Sequence, residues 1–431
     1  MATAVESFET CWELVNENHF DPDYNGVDWA AVRVEFAPRA AAVTTRAQLR
    51  NLLNEMLARL GQSHFGVMPP GGWDEPKENA AQAEDGLSGL SVRFVDDSYV
   101  VTEVKAGSPA AAAGVQAGWV VDSIDGNLVT SAIGDEVPDH LRQLVAERMV
   151  EERLGGAPET AKSVSFRGPD DAPREATLTL ERDRSSKVSF GVLPPITVEL
   201  SHRELGAGDW LECGATPAGG GSTPRVGYIS FTAWFPSIAA AFDQAIDEHR
   251  GCDAMVIDLR GNPGGIGLMA AGFAGHFVQE PTNLGDMIAR TGTIHFLAQP
   301  RTVAAGGRAV KPFDGPLAIL LDSQTGSTSE VFAGGMVDVG RAEAFGGPSA
   351  GAALPASLAT LPSGDVFLYA VADFRVTSGS SIEGVGVRPT IEPAPALVDY
   401  RASPDPTLRQ ALQWIALGAP PRPAATGTPE N

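Results

Sequence analysis

Two short stretches of this chain bring together residue types that can carry out nucleophilic catalysis. Residues 256–265 form a buried-strand pattern that runs into the turn Gly-Asn-Pro-Gly-Gly. Residues 317–321 form a second apolar strand, and the run Thr-Gly-Ser-Thr-Ser-Glu at 325–330 delivers a serine to the start of a predicted helix. A serine at a strand-to-helix turn has backbone N–H groups beside it that can bind an oxyanion. The pattern therefore predicts a serine nucleophile next to a glycine turn.

Periodicity and composition indicate the elements that must position these residues. Apolar residues recur at helical spacing between Leu49 and Leu60, and a glycine ends that helix just before Ser63 and His64. Downstream, alternating strands are followed by strands that alternate with helices. We therefore expect a multidomain α/β protein. Its predicted regions are a helical bundle at 1–75, a β-rich domain at 86–185, an α/β core at 190–395, and a short helix with a disordered tail at 397–431.

Charge and cysteine content exclude several classes of function. With 31 basic and 54 acidic residues the net charge is −23, so neither a nucleic acid nor an anionic membrane surface is an expected partner. The cysteines have no paired spacing and the other histidines lack metal-ligand spacing, so we expect no disulfide, metal or organic cofactor. No stretch reaches the roughly 18 apolar residues that span a bilayer. The N-terminus lacks signal-peptide features, so the chain as written is expected in the cytoplasm, although an exported protein with its signal removed would look the same.

The glycine and serine stretches resemble the core of the S41 serine peptidases, the family of the C-terminal processing peptidases and the tricorn protease. In this family the nucleophile is the first serine of a Ser-Ala-Ser-Glu run, which residues 327–330 match with Ser-Thr-Ser-Glu. The resemblance therefore favours Ser327, with Ser329 as a helix N-cap or support and Ser323 as a weaker rival. It covers nearly all of residues 8–395 and implies a ClpP/crotonase-like peptidase core.

The same resemblance implies the donors of the oxyanion hole. Thr328, the residue after the nucleophile, supplies one backbone N–H. Glycine lets the backbone approach closely, and the family points to Gly264 or Gly265 for the other N–H. Of these two we favour Gly264 slightly.

A serine hydroxyl needs an adjacent base to become nucleophilic at neutral pH. The processing peptidases use a lysine that, counted from the nucleophile, falls at position 352, where this chain has alanine. The tricorn-like branch instead uses a histidine preceded by a serine, and the run ending in Ser63 and His64 resembles its pattern, with glutamine for the usual preceding aspartate. By this resemblance His64 is the base and Ser63 relays between its imidazole and a carboxylate. Glu383, in an E-G-x-G-V-x-P run, supplies that carboxylate.

The β-rich domain resembles a PDZ domain of the bacterial protease type through the runs at 107–115 and 118–126. Such a domain captures an extended peptide by strand addition, and a glycine-rich loop binds the peptide's C-terminal carboxylate through N–H groups. The segment 86–94 supplies the candidate loop and edge strand. The predicted peptide contacts are Leu87, Gly89 and Leu90.

These resemblances imply a serine endopeptidase that cleaves polypeptides through an acyl-enzyme. A non-catalytic binder of apolar ligands is the alternative from a different class, because the same core occurs in retinoid- and lipid-binding proteins of the eye. A peptidase dedicated to one small peptide and an esterase are further alternatives. The sequence leaves the oligomeric state open.

Overall fold

The computed structural model is a mixed α/β structure that begins with a helical region. The residues that it describes are 2–70, 85–129, 137–188, 195–216 and 223–419. The helical region consists of α1 (Ala2–Asn18), α2 (Trp29–Ala42), α3 (Arg46–Ala58) and the short strand β1 (Gly66–Met68). Helix α3 begins where the Thr45 hydroxyl accepts the Gln48 N–H and the Gln48 side chain accepts the Thr45 N–H in return. This exchange satisfies two N–H groups that a helix start leaves unpaired.

The apolar stripe of α3 is buried, as its periodicity predicts. The core of the helical region also contains Phe367 and Tyr369 from the last third of the chain. After α3 the chain turns at Gly61, whose φ of 62° lies in the left-handed region that glycine tolerates. This turn leads directly to Ser63 and His64, so the helical region presents both residues where it meets the rest of the protein.

Residues 86–185, which we call the β-rich region, form one main sheet with a helix against its edge strand. The sheet order is β3-β4-β5-β7-β8, and the helix α5 packs against β3. Helix α5 (Arg142–Leu154) is rich in charged residues. The elements of the region are β2 (Gly86–Leu87), β3 (Leu90–Val95), β4 (Ser98–Val104), α4 (Pro109–Ala112), β5 (Val120–Ile124), β6 (Asn127–Leu128), α5 (Arg142–Leu154), β7 (Ala161–Arg167), β8 (Pro173–Thr179) and β9 (Glu181–Arg182).

The α/β core is built on a five-stranded sheet with the order β12-β13-β14-β17-β18. Strands β13, β14, β17 and β18 are parallel and β12 is antiparallel to β13. Every residue of β14 and β17 is buried, as expected for parallel strands covered on both faces. The elements are β10 (Lys187–Val188), β11 (Ile196–Thr197), β12 (Leu200–Leu205), α6 (Ala207–Glu212), β13 (Val226–Phe231), α7 (Ala239–His249), β14 (Ala254–Asp258), α8 (Met269–Ala274), β15 (Thr282–Ala289), β16 (Gly292–Ala298), β17 (Leu317–Leu321), α9 (Thr328–Asp338), β18 (Glu343–Gly346), β19 (Ala356–Thr360), β20 (Val366–Ala370), β21 (Ala372–Val376), α10 (Leu397–Ala402) and α11 (Pro406–Ala416).

Two parts of the α/β core differ from the sequence pattern. The hairpin β15–β16 has no predicted counterpart, because a register shift between Asn283 and Asp286 interrupts the alternation that identifies a strand. The apolar run at 268–278 suits one helix, but α8 ends at Ala274, because the chain after it tightens into 3-10 type hydrogen bonds such as His276 N–H to Phe273 O. The predicted short helix near the C-terminus is present as α11. The tail after residue 419 lies outside the described residues.

Candidate active site

The glycine turn and the serine turn meet because they follow adjacent parallel strands. Strand β14 pairs in parallel with β17, so the chain leaves both strands at the same edge of the sheet. The two turns then touch: a Cβ on Gly264 would lie 2.6 Å from the Ser327 Cβ and 2.8 Å from the Thr328 nitrogen. A side chain does not fit there, so glycine is what permits this close approach to the predicted nucleophile.

Ser327 is the N-cap of α9 and has an unusual backbone conformation, with φ 53° and ψ −118°. A non-glycine residue in such a conformation costs about 1–3 kcal/mol, which the surrounding contacts must offset. The Ser327 N–H donates to Ala352 O and to Glu330 Oε2, each at 2.9 Å. The half-buried Ser327 side chain makes no capping hydrogen bond to α9. Its hydroxyl is therefore not used as a helix cap.

Glu330 is a buried residue of this site that the sequence analysis left without a role. Its carboxylate accepts hydrogen bonds from the Ser327 N–H (2.9 Å), Ser349 Oγ (2.6 Å), Gly351 N–H (2.7 Å) and Ala352 N–H (3.0 Å). Burial raises the pKa of Glu330 to about 7, against the lowering effect of these donors. Glu330 thus ties residues 349–352 to the serine turn. The only sequence signal for it is the Ser-x-x-Glu spacing of a capping box.

Two backbone N–H groups beside Ser327 are available to an oxyanion. The N–H groups of Thr328 and Gly265 have no acceptor within the described part of the chain. The Thr328 hydroxyl donates to Gly265 O at 2.9 Å, which holds the two residues together. By contrast, the Gly264 N–H already donates to Asn262 Oδ1 at 3.0 Å. This hydrogen bond favours Gly265 over Gly264 as the candidate for the second donor.

Ser63, His64 and Glu383 form one hydrogen-bonded relay. The Ser63 Oγ donates to Glu383 Oε2 at 2.8 Å and lies 2.7 Å from His64 Nδ1. Because the single hydroxyl proton points to the carboxylate, Ser63 Oγ must accept a hydrogen bond from His64 Nδ1–H. The His64 Nε2 is then unprotonated, which is the state that a general base requires.

The Glu383 carboxylate is held by backbone donors as well. The Ser63 N–H donates to Oε1 at 2.7 Å, and the Ala353 N–H donates to Oε2 at 3.0 Å. Burial raises the pKa of Glu383, but the nearby His140 and the donors Ser63 and Ala353 lower it below its ordinary value. Glu383 is therefore ionised at neutral pH and can accept a hydrogen bond from Ser63 Oγ.

His64 is held neutral by its surroundings. Its φ of 58° is again in the left-handed region, so local contacts must fix its backbone. Burial lowers the pKa of His64 and the charge of Arg148 lowers it further, while Glu383 raises it by a smaller amount than burial lowers it. The imidazole is thus a free base at neutral pH.

A single peptide group connects the relay to the nucleophile. The Ser327 N–H donates to Ala352 O, and the next N–H, that of Ala353, donates to Glu383 Oε2. No direct hydrogen bond joins His64 to Ser327, although both residues are described. Such catalytic contacts are often loose without substrate and tighten in the complex. The structure therefore brings all four predicted catalytic residues to one place, with the nucleophile–base contact open.

The rival serines have other roles in the structure. Ser329 is fully buried, and its hydroxyl accepts from Trp234 Nε1 at 2.8 Å and donates to Asn262 O at 3.1 Å. It is a support, and its alternative assignment as N-cap is wrong, since Ser327 occupies that position. The Ser323 hydroxyl donates to Glu147 Oε2 at 2.6 Å. Neither rival presents an uncommitted hydroxyl.

The predicted peptide contacts lie at the start of the β-rich sheet. Leu87 belongs to β2 and is 41% exposed, Leu90 begins β3, and Gly89 turns the chain between them with φ 79°. The Gly89 O accepts the Lys105 N–H at 2.8 Å. The three residues are therefore neighbours, as the loop prediction requires.

The edge of β3 that faces away from β4 already makes hydrogen bonds to α5. The Val92 N–H donates to Glu151 Oε1 at 3.0 Å, and the Phe94 N–H donates to Glu147 Oε1 at 2.9 Å. These N–H groups are the ones that an added peptide strand would use. A peptide can pair with them only after the two glutamates release them.

The same two glutamates hold the loop that precedes the predicted nucleophile. Glu147 accepts from Ser323, and Glu151 Oε2 accepts from Gln324 Nε2 at 3.0 Å. Arg93, which is 8% exposed, donates to Glu151 Oε1 at 2.7 Å. Helix α5 therefore contacts both the edge of the β-rich sheet and the serine turn.

In the parts of the chain that the structure describes, no group of three or more His, Cys, Asp or Glu side chains is arranged to hold a metal ion. No described helix is long and apolar enough to cross a membrane. The three cysteines are buried free thiols.

Two family models match separate parts of the chain. The model of peptidase family S41 matches residues 225–393, and the model of the tricorn protease C1 domain matches residues 2–58. The first match contains the glycine turn, the serine turn and Glu383. The second ends just before Ser63 and His64.

Individual proteins show the same similarity. Carboxyl-terminal-processing peptidase 2, chloroplastic, of Arabidopsis thaliana is 27% identical over 395 residues, which cover 89% of this chain and 67% of that protein. A structure of a photosystem II D1 C-terminal processing protease is similar with a TM-score of 0.59 and 21% identity, covering 96% of this chain and 98% of the other. The crystal structure of the tricorn protease gives 0.51 and 15%, covering 97% of this chain and 37% of the other. At these identities the two structures indicate a shared fold.

Proposed function

We propose that this chain is a serine peptidase of family S41, whose model matches residues 225–393, and that it cleaves polypeptides with a tetrad of Ser327, His64, Ser63 and Glu383. The observation that carries the proposal is the relay from Glu383 through Ser63 Oγ to His64 Nδ1, at 2.8 and 2.7 Å. It leaves His64 Nε2 free to accept a proton. Position 352 is alanine, so a lysine base is not available there.

In the proposed reaction, Ser327 Oγ attacks the peptide carbonyl carbon while His64 Nε2 takes the hydroxyl proton. The N–H groups of Thr328 and Gly265 bind the oxyanion of the tetrahedral intermediate. The imidazolium then gives its proton to the amine nitrogen as the C–N bond breaks, which leaves an acyl-enzyme and the first product. Water, deprotonated by His64, attacks the ester, and the acid is released as Ser327 recovers its proton.

A large cavity supports a polypeptide route to this site. It has a volume of about 1630 Å³. Arg93 and Phe94 of β3 line it on one side, and Ser349 and Ala350, next to the peptide group that contacts Ser327, line it elsewhere. The cavity reaches Ser323 in the loop before Ser327, but neither Ser327 nor His64 lines it.

We extend the proposal to capture of the polypeptide by the β-rich region, acting as a PDZ-like domain. Release of β3 by the two α5 glutamates is the step that capture requires. The proposal includes domain boundaries at 1–75, 86–185 and 190–395, a ClpP/crotonase-like core and a cytoplasmic location. The proposed peptide contacts are Leu87, Gly89 and Leu90.

The tetrad favours a catalyst over a binder of apolar ligands. An apolar-ligand binder needs no hydrogen-bonded serine, histidine and glutamate, and burying these polar groups has a free-energy cost. The relay fixes the tautomer that leaves His64 Nε2 unprotonated, and this state suits a general base. Peptidase action dedicated to one small peptide uses the same site and differs only in the substrate.

Labelling with a fluorophosphonate–rhodamine probe tests the proposal directly. We expect labelling of the wild type at Ser327 and loss of labelling in Ser327→Ala and His64→Ala. The matched controls are Ser378→Ala and His295→Ala, which change exposed residues of the same types and should label like the wild type. Labelling that persists in Ser327→Ala, or a folded wild type that is not labelled, would refute the proposed tetrad.

A further inference from the structure

His140 is a second histidine beside Glu383, and no sequence motif marks it. It lies in the 3-10 turn Asp139–Leu141, immediately before α5. Its Nε2 is 3.6 Å from Glu383 Oε1, and the two side chains are 18% and 11% exposed. That nitrogen is buried and has no hydrogen-bond partner within the described ranges. A buried nitrogen that lies near a carboxylate but beyond hydrogen-bond distance from it requires a physical explanation.

Glu383 has room for one more donor on the side of His140. Its Oε2 accepts both Ser63 Oγ and the Ala353 N–H, whereas its Oε1 accepts the Ser63 N–H at 2.7 Å. A carboxylate oxygen can accept two hydrogen bonds. A movement of about 0.7 Å would bring the His140 Nε2–H to an ordinary hydrogen-bond distance from Oε1.

The other charged groups nearby already have partners. A cavity of about 510 Å³ beside His140 is also lined by Asp373, Arg375 and Asp21. The Arg375 Nε donates to Asp373 Oδ2 at 2.8 Å, and the Asp21 carboxylate accepts backbone N–H groups within its own turn. Of these carboxylates, Glu383 is the one that lies 3.6 Å from His140 Nε2, and its Oε1 has an acceptor position left.

We propose that His140 is a positioning residue for the catalytic relay. Its Nε2–H binds Glu383 Oε1 and fixes the orientation of the carboxylate on which Ser63 and His64 depend. His140 acts on the reaction only through Glu383, so the inference rests on the proposed tetrad.

This donor comes from a different part of the chain than the base and the nucleophile. His140 directly precedes α5, whose residues Glu147 and Glu151 hold the loop before Ser327. One segment of the β-rich region therefore contacts both the acid of the relay and the serine turn. The relay has its full set of donors only while this segment is docked on the α/β core.

Two variants separate the donor from the shape of the side chain. His140→Phe keeps a flat ring of similar size and removes the N–H, whereas His140→Gln keeps a side-chain N–H donor. Inactivation by the fluorophosphonate–rhodamine probe yields kinact for the chemical step and KI for binding. We expect about a tenfold lower kinact for His140→Phe, with KI within twofold of the wild type, because the loss of one donor to a charged group slows the chemistry and leaves binding intact. His140→Gln should keep at least half of the wild-type kinact.

A double variant distinguishes this inference from the tetrad itself. In the Glu383→Ala background, adding His140→Phe should lower kinact no further, since the group it positions is gone. Equal kinact for His140→Phe and wild type, a loss not rescued by His140→Gln, or a further loss in the double variant would overturn the role of His140. Each of these outcomes leaves the proposed tetrad intact if the kinact of Glu383→Ala alone is well below the wild-type value. If Glu383→Ala reacts as fast as the wild type, the tetrad fails and this inference fails with it.

Discussion

Removing the Ser63 hydroxyl tests the relay without moving the groups that it joins. In Ser63→Ala the Ser63 backbone N–H still donates to Glu383 Oε1, and the Ala353 N–H still donates to Oε2. The carboxylate therefore keeps its place. What is lost is the acceptor of His64 Nδ1–H and the link from the imidazole to the negative charge.

The expected size of the effect follows from those two contacts. Ser63 is 3% exposed, and its hydroxyl makes hydrogen bonds of 2.7 and 2.8 Å, one of them to a carboxylate. Hydrogen bonds to charged groups contribute about 1.5–3 kcal/mol. If about 2–3 kcal/mol of this acts on the imidazolium-like transition state, kinact falls roughly 30- to 150-fold. KI should stay within twofold, because Ser63 is buried behind the imidazole.

The assay is the time course of fluorophosphonate–rhodamine labelling at several probe concentrations, with thermal unfolding as the check on folding. Ser63→Thr is the matched control, since it keeps a hydroxyl on the same carbon, and its kinact should stay within about fivefold of the wild type. A Ser63→Ala variant that is folded and labels within twofold of the wild-type kinact would refute the relay. An equal loss in both variants would show that packing, and not the hydroxyl, is responsible.

Three further predictions follow from the site. Gly264→Ala should abolish labelling of Ser327, because its Cβ would lie 2.6 Å from the Ser327 Cβ, whereas Gly267→Ala has room and should label normally; normal labelling of both would contradict the close approach. Glu330→Gln should lower the free energy of unfolding by about 2–4 kcal/mol in urea denaturation, because an amide N–H₂ then faces N–H and O–H donors. An unchanged urea midpoint would contradict the role of the Glu330 carboxylate in tying residues 349–352 to the serine turn. The acid limb of kinact/KI against pH should lie below about pH 6.5, because burial lowers the pKa of His64 and only the unprotonated ring accepts a proton; a limb above pH 7 would exclude His64 as the base.

Much of the scaffold around the site could be predicted from local sequence. Strands β14 and β17 are continuous apolar runs, and α3 has an apolar stripe behind a threonine cap. Each of these patterns lies within one element, so it can be recognised without knowing how the rest of the chain folds. The hairpin β15–β16 could not be predicted in this way, because its register shift hides the alternation.

The contacts of α5 show the limit of such patterns. Charged residues usually lie on a solvated helix face, yet Glu147 is fully buried and accepts hydrogen bonds from Phe94 and Ser323. Its partners lie 53 residues before it and 176 residues after it in the chain. No spacing within the helix carries that information.

The amino-acid sequence shows which chemical groups stand at the turns: a serine at 327, an alanine at 352, and a serine followed by a histidine at 63–64. How these groups are used depends on the packing of elements that lie far apart in the chain. Packing pairs the Gly264 N–H with Asn262, gives the Gly265 N–H no acceptor among the described residues, gathers four donors around Glu330, and sets His140 against Glu383. The reason is physical: residue type and spacing position a group on its own element, but a hydrogen bond between elements exists only once packing has brought its donor and acceptor together.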